Sequence, residues 1–239
     1  MQLLLIRHGK SIWNLENKFT GWYDVDLAEE GILEAKKASK LIQEYNIIPK
    51  VCFTSYLKRA QKTLEIILNN LKVSDVKDLE IFKSWKLNER HYGSLQGMNK
   101  KETKLKFGDE QFLKWRRSYN TPPPPLDEKS DMNPRNDLLY SEITENLPLT
   151  ECLKDTYERV IPYWNESILP SLKDNVVLIA AHGNSLRALC KYLFNLNDEE
   201  IISMEIPTGN PLLINFDKSC KIISASYLDK IRAEKLPKT

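Results

Sequence analysis

Two stretches, QLLLIRHG (Gln2–Gly9) and VVLIAAHG (Val176–Gly183), decide how this chain is read. Each is a short apolar run stopped by His-Gly. A continuous apolar run of four to six residues bounded by polar residues reads as a strand buried on both faces. Ligands of open parallel sheets bind beyond the carboxyl ends of the strands. If the two strands run parallel, His8 and His182 emerge at the same edge. The glycine after each histidine is expected to let backbone approach a ligand closely. Structural histidines at two strand ends are the plainer alternative; Arg7 beside His8 favours a site.

Outward from these strands, helix and strand patterns alternate. Residues Glu29 to Tyr45 carry Ile32, Ala35, Ala38, Leu41, Ile42 and Tyr45 at helical spacing. VCFT (Val51–Thr54) reads as a second buried strand, and Leu57 to Leu71 as a helix with Ala60, Leu64, Ile67, Leu68 and Leu71 on one face. EIFKSW, from Glu80, is a third strand. Asn99 to Tyr119 reads as two helices broken at Gly108, and Pro122 to Pro125 cannot continue a helix. Met98 to Leu147 is therefore expected to be an insertion of helices and long loops. Thr150 to Leu172 reads as helical, kinked or split at Pro162, and Ser185 to Phe194 as a further helix. PLLINF and IISASY read as two late strands joined by a turn. The alternation predicts an α/β fold with a mostly parallel central sheet flanked by helices.

Composition bounds the function. The chain has 239 residues, 35 Lys and Arg against 33 Asp and Glu, and a net charge of +2. The length suits one domain with an insertion. Near-neutral charge excludes a polyanion binder driven by bulk electrostatics. The lysine-rich helices alternate lysine with acid, the look of a solvated face, so no nucleic acid is expected as partner. No apolar run approaches the ~18 residues of a membrane span, and the N-terminus lacks the pattern of a secretory signal. Cys52, Cys152, Cys190 and Cys220 form no CxxC pair. Cys52, Cys190 and Cys220 lie in apolar stretches, as buried free thiols do. A reducing, cytoplasmic setting follows.

Five side chains suggest phosphoryl chemistry. Arg59 falls just after the second strand, in the first turn of a helix, where an anion is already favoured; it is a surface arginine or a bidentate phosphate donor. Glu89 lies between cationic neighbours at a strand end, where it reads as a proton-transfer group or, more ordinarily, as an ion-pair partner. With Arg7, His8 and His182, these make a set in which a neutral imidazole attacks phosphorus. Cations then hold the equatorial oxygens, the role Mg²⁺ plays elsewhere. Cations around His8 are expected to keep it neutral. No P-loop, GxGxxG or clustered metal-ligand spacing occurs. Arg116-Arg117 is a solvated helical face or an anion clamp.

These residues resemble a known family. Arg7-His8-Gly9 resembles the signature of the histidine phosphatase superfamily. RHGKSIWNLENKFTGWYDVDL, TSYLKRAQKTL, KLNERHYGSLQGMNKKET, WRRSY, LKDTYERVIPYW, AAHGNSLRALCKYL and IPTGNPL are similar to the cofactor-dependent phosphoglycerate mutases, in order, from about Leu3 to Leu228. The resemblance implies one domain over residues 1–239, with the 98–147 insertion over the active-site edge and a short tail, 229–239. It implies interconversion of 3-phosphoglycerate and 2-phosphoglycerate through a phosphohistidine on His8, primed by 2,3-bisphosphoglycerate and without metal. By the same resemblance Arg7, Arg59 and His182 hold the phosphoryl group, helped by Asn14 and the Gly183 backbone, and Glu89 is the acid–base. Ser11, Thr20, Gly21, Tyr92, Lys100, Arg116, Arg117 and Asn184 are implied on the substrate side. Such enzymes pair through a sheet edge, which implies a homodimer or dimer of dimers with its seam near Val51 to Tyr56.

Three departures bear on this. Lys10 follows RHG where an acid or amide is usual; it tightens phosphate binding, stalls turnover or points to solvent. The tail after Leu228 is short, and Asp229 stands where glycine is usual. A shortened lid shifts the balance between transfer to substrate and loss to water. A phosphatase on the same scaffold and a silent binding protein are therefore the competing readings.

Overall fold

The structure, a computed structural model, describes residues 1–71 and 79–237. Residues Lys238 and Thr239 of the expected tail lie outside the described residues. Among the described residues six strands form one sheet in the order β3-β2-β4-β1-β5-β6. They are β1 (Gln2–Arg7), β2 (Val51–Thr54), β3 (Glu80–Lys83), β4 (Val176–Ala181), β5 (Leu212–Phe216) and β6 (Ile222–Tyr227). β1 pairs in parallel with β4, β4 with β2 and β2 with β3, whereas β5 runs antiparallel to β1 and β6 antiparallel to β5. The sheet is thus mostly parallel, with a hairpin at one edge.

The apolar runs of β1, β2 and β4 are continuous because both faces are covered. On one face Leu3, Leu5, Phe53, Val177 and Ile179 pack with Val160 and Ile161 of helix α6 (Leu153–Tyr163) and Leu186 and Leu189 of α8 (Gly183–Leu193). On the other, Leu4, Ile6, Cys52, Leu178 and Ala180 meet Ala38 and Ile42 of α2 (Glu29–Glu44) and Leu64, Ile67 and Leu68 of α3 (Lys58–Asn70). Odd and even positions face opposite layers, the period of two that a strand imposes. A four-residue helix α1 (Ile12–Leu15) follows β1.

The insertion opens with α4 (Lys100–Phe107) and α5 (Asp109–Arg117), broken at Gly108 with φ +80°. After α5 the chain makes only short 3₁₀ turns until α6. It is tied down by Tyr140 and Leu147, which cluster with Trp22 and Trp85.

Several expectations need adjustment. The helix predicted from Thr150 begins at Leu153, and it is interrupted after Pro162. A π turn, Trp164–Ile168, precedes α7 (Leu169–Leu172). Pro162 and Pro170 each remove an N–H that a regular helix needs, and the turn between them bonds one residue further on, as a π-bulge does. Cys220 is not a core thiol: it sits half-exposed in the β5–β6 turn at φ +64°, and Cys152 is the third buried cysteine with Cys52 and Cys190. The segment expected at a dimer seam with its neighbours, Val51 to Tyr56, begins with β2, one strand in from the edge, between β3 and β4. The edge belongs to β3, whose four residues are all exposed. A last short helix, α9 (Glu200–Ser203), precedes β5.

Candidate active site

β1 and β4 are neighbours and end in register, Arg7 opposite Ala181. The His8 N–H donates to the Ala181 carbonyl at 3.0 Å, which brings the two imidazoles together with ring centroids 5.0 Å apart. Both are buried. His8 Nδ1 lies 2.7 Å from the Gly9 carbonyl. A carbonyl only accepts, so Nδ1 carries the hydrogen and Nε2 keeps its lone pair. Arg59 Nε donates to that lone pair at 3.4 Å. His182 Nε2 stands 2.7 Å from Ser55 Oγ, which already accepts from the Leu57 N–H at 3.1 Å. The other ring nitrogen, Nδ1, is a buried atom with no hydrogen-bond partner among the described residues.

Burial pushes both histidines well below the usual imidazole range, and the guanidiniums of Arg59 and Arg7 push them further. The cations around His8 lower it as expected, and loss of hydration is the larger cause. Arg59 is fully buried rather than a surface residue. Its Nη2 donates to the Gly21 carbonyl at 2.7 Å and its Nη1 to the Tyr23 carbonyl at 3.1 Å. Burial lowers it to about 10, leaving it cationic at neutral pH.

Glu89 is buried, with Oε1 accepting from the N–H groups of Arg90 at 2.8 Å and Asn184 at 3.1 Å. Asn184 is at the start of α8, so the carboxylate meets the positive end of a helix. The side-chain ion pair expected for Glu89 is absent among the described residues. A different pair forms behind it: Arg159 Nε and Nη2 donate to Glu151 at 2.6 and 2.9 Å, and Nη2 also to the Glu89 carbonyl at 3.0 Å. Trp22 Nε1 donates to the same carbonyl.

A cleft beside these groups is lined by Arg7, Glu89, Tyr92, Lys100, Arg116, Arg117, Gly183 and Asn184, all predicted, and by Arg187, Glu205 and Ile206, which were not. Asn184 Nδ2 donates to Tyr92 Oη at 3.1 Å, and the Arg90 guanidinium lies 4.5 Å from the Tyr92 ring centre. Burial, helped by neighbouring cations, lowers Lys100 and Arg116 from their ordinary values. Arg187 falls one helical turn after Gly183 and was within reach of spacing arguments. Ser55, Arg159 and Glu205 carried no signal in the sequence.

Other predicted residues are placed differently. Ser11 and Asn14 cap α1 and satisfy each other, Ser11 N–H to Asn14 Oδ1 at 3.0 Å and Asn14 N–H to Ser11 Oγ at 3.2 Å. Among the described residues no hydrogen bond joins them to the histidines. Thr20 is buried, its hydroxyl without a partner among the described residues, next to the Gly21 carbonyl that holds Arg59. Gly9 serves packing, because a Cβ there would lie 2.2 Å from the Gly31 carbonyl oxygen, whereas Gly183 lines the cleft, where a Cβ would stand 3.4 Å from the Arg7 guanidinium. Lys10 turns to solvent, with Nζ 3.6 Å from Glu30 on α2. Asp229 is a buried tether, accepting from Lys37 Nζ at 2.6 Å and Arg232 Nε at 2.8 Å. Among the described residues no three His, Cys, Asp or Glu side chains form a group fit for a metal ion, and no helix is long and apolar enough to cross a membrane.

A family model described as the histidine phosphatase superfamily (branch 1) matches residues 3–227. The chain belongs to that superfamily. A 2,3-bisphosphoglycerate-dependent phosphoglycerate mutase of Parabacteroides distasonis is 50% identical to it over 228 residues, 95% of this chain and 91% of that protein. Among solved structures, a mycobacterial glucosyl-3-phosphoglycerate phosphatase complexed with VO3 superposes with TM-score 0.70 at 19% identity, covering 92% of this chain and 95% of that one. Bacillus stearothermophilus YhfR gives TM-score 0.68 at 22% identity, covering 92% and 93%. These two share the superfamily's fold.

Proposed function

We propose that this chain is a cytoplasmic phosphoglycerate mutase, interconverting 3-phosphoglycerate and 2-phosphoglycerate through a phosphohistidine on His8. The observation that carries the reading is the His8 ring itself. Nδ1 is committed to the Gly9 carbonyl, and Nε2 is a neutral lone pair beside Arg59. The 50% identity to a named mutase supports the substrate. Residues 1–239 are read as one catalytic domain, the 98–147 segment and the tail included.

In this reading Nε2 forms a bond to phosphorus as the bond from phosphorus to the substrate oxygen breaks, and Glu89 gives that oxygen a proton. In the reverse direction Glu89 takes the proton of the free hydroxyl as its oxygen attacks the phosphohistidine. Arg7, Arg59 and His182 through Nδ1 hold the oxygens of the transferring group, where charge is delocalised. Arg7 Nε and His182 Nδ1, buried without hydrogen-bond partners among the described residues, suit that task. Tyr92, Lys100, Arg116, Arg117 and Asn184 hold the carboxylate and the second phosphate. The same cationic lining suits 2,3-bisphosphoglycerate, which when bound supplies the phosphoryl group that loads His8. Metal has no task in this scheme. The assembly we propose is a homodimer or dimer of dimers, and the exposed β3 edge with Ile81 and Phe82 is a face open to it.

The test is conversion of 3-phosphoglycerate to 2-phosphoglycerate in EDTA, with and without trace 2,3-bisphosphoglycerate, while released phosphate is followed. Isomerisation that needs the trace donor and disappears in His8→Ala is expected. Free phosphate without isomerisation would make the chain a phosphatase, and loss of activity in EDTA that metal restores would overturn the metal-free scheme.

A further inference from the structure

The cleft contains an anion of its own. Beside the cations Arg7, Lys100, Arg116, Arg117 and Arg187 stand two carboxylates, Glu89 and Glu205. Glu89 has a task in proton transfer; Glu205 has none in the scheme above. Its backbone is fixed on both sides. Tyr227 Oη donates to the Glu205 carbonyl at 3.3 Å, and Arg7 Nη1 donates to the next carbonyl, Ile206, at 2.9 Å. Ile206 is buried, so the segment after α9 is a firm wall and not a loose loop. From that wall the Glu205 carboxylate reaches Arg117 Nη2 and pairs with it. Burial works to raise this carboxyl, but Arg117, Arg187 and Arg7 hold it below the ordinary carboxylate range, so it is ionised at neutral pH.

Arg117 therefore meets an incoming ligand with its charge already partly cancelled. A ligand anion at that end has to share the guanidinium with Glu205 or displace it. The repulsion between the two anions grows with the ligand's charge. An uncompensated cluster of five cations would instead hold the most highly charged ligand tightest and release it slowest.

We propose that Glu205 sets the charge tolerance at the Arg117 end of the cleft: it tolerates a monoanionic group there and weakens binding of a dianionic one. It is a specificity-determining residue acting by repulsion, a common device where two ligands share most of their contacts. For this site the consequence is looser retention of 2,3-bisphosphoglycerate relative to the monophosphates. That consequence rests on the function proposed above.

The experiment is calorimetric titration in EDTA, on a His8→Gln background that blocks turnover, of the chain with Glu205, with Glu205→Gln and with Glu205→Asp. The ligands are 3-phosphoglycerate and 2,3-bisphosphoglycerate, with inorganic phosphate and pyrophosphate alongside. Glu205→Gln is expected to tighten binding of the more highly charged member of each pair about tenfold or more, and of the less charged member by clearly less. Glu205→Asp keeps the charge and is expected to keep the discrimination. Weaker binding of every ligand would mean that Glu205 merely positions Arg117. That result, an equal change within each pair, no change, or an Asp variant that behaves like Gln would overturn the proposal. The phosphate and pyrophosphate pair reads charge tolerance whatever the natural substrate is. Failure of the isomerisation assay with the unaltered chain therefore strikes the proposed function and leaves this comparison standing.

Discussion

At the scale of single residues, the site is built by hydrogen bonds that commit one end of each reactive group and leave the other free. His8 spends Nδ1 on its neighbour's carbonyl, and His182 shares a hydrogen bond with the Ser55 hydroxyl at Nε2. Glu89 spends Oε1 on two backbone N–H groups. Its backbone is in turn held by Arg159, whose charge is matched by Glu151. Two outcomes follow. Glu89→Gln keeps the shape and removes the exchangeable proton, so isomerisation is expected to slow by about 10²- to 10⁴-fold while ligand affinity changes little; a normal turnover number refutes the acid–base role. Arg159→Met leaves Glu151 as an uncompensated buried charge, expected to cost about 3–5 kcal/mol in urea unfolding. A loss below ~1 kcal/mol would show that water reaches Glu151.

At the scale of elements, the loops carry the chemistry and the strands aim it. The tail shows how a segment without regular structure is held. Asp229 gathers Lys37 and Arg232, and Arg232 donates onward to the Thr208 carbonyl at 3.0 Å and lies 3.4 Å from Glu34. Thr208 bridges to Arg7, so the tether ends beside the site. Asp229→Asn removes the charge that organises this knot. Tryptic cleavage at Lys230 and Arg232 is expected to quicken about tenfold, the effect of losing about 1.4 kcal/mol of local stability. An unchanged cleavage rate would show that Arg232's carbonyl contacts suffice alone.

At the scale of the whole molecule, all three histidines titrate low. His91 is buried away from the cleft, its Nδ1 accepting from the Gly93 N–H at 3.0 Å, and burial lowers it to about 3. His8 and His182 are likewise lowered. The unfolded chain binds a proton at each histidine below about pH 6.5, and the folded chain does not until far lower. Stability is therefore complete above pH 6.5 and is lost as the pH falls below it. The slope is up to about 1.4 kcal/mol per pH unit for each histidine, or about 4 for the three. Urea unfolding between pH 7.5 and 5 checks this, and His91→Gln is expected to remove about a third of the slope. Equal stability at pH 7 and 5 would contradict the burial of these rings. Burial works to raise Asp26, but the hydrogen bonds and charge of Lys62 and the Leu27 N–H together outweigh it, and Lys37 with Arg232 hold Asp229 low; both add a loss of the same sign only below about pH 4.

The reading from sequence succeeded where the signal is local. Continuous apolar runs marked β1, β2 and β4, because a strand covered on both faces has no polar side to show. Helical spacing marked α2 and α3, and Gly108 the break between α4 and α5. His-Gly after two such strands marked the site edge, because parallel strands deliver their C-terminal ends together. The outcomes that needed the tertiary structure involve partners distant along the chain. Nothing near Lys10 in sequence tells that Glu30 draws it to the surface. The resemblance assigns Ser11 and Asn14 to the ligand, and only the folded chain shows that they also cap each other at α1. Ser55, Arg159 and Glu205 reach His182, Glu89 and Arg117, 70 to 127 positions away along the chain. Sequence by itself determined which elements form and which edge bears the chemistry; packing alone decided which polar groups are spent on the protein and which remain for a ligand, because that depends on distances that only the closed fold creates.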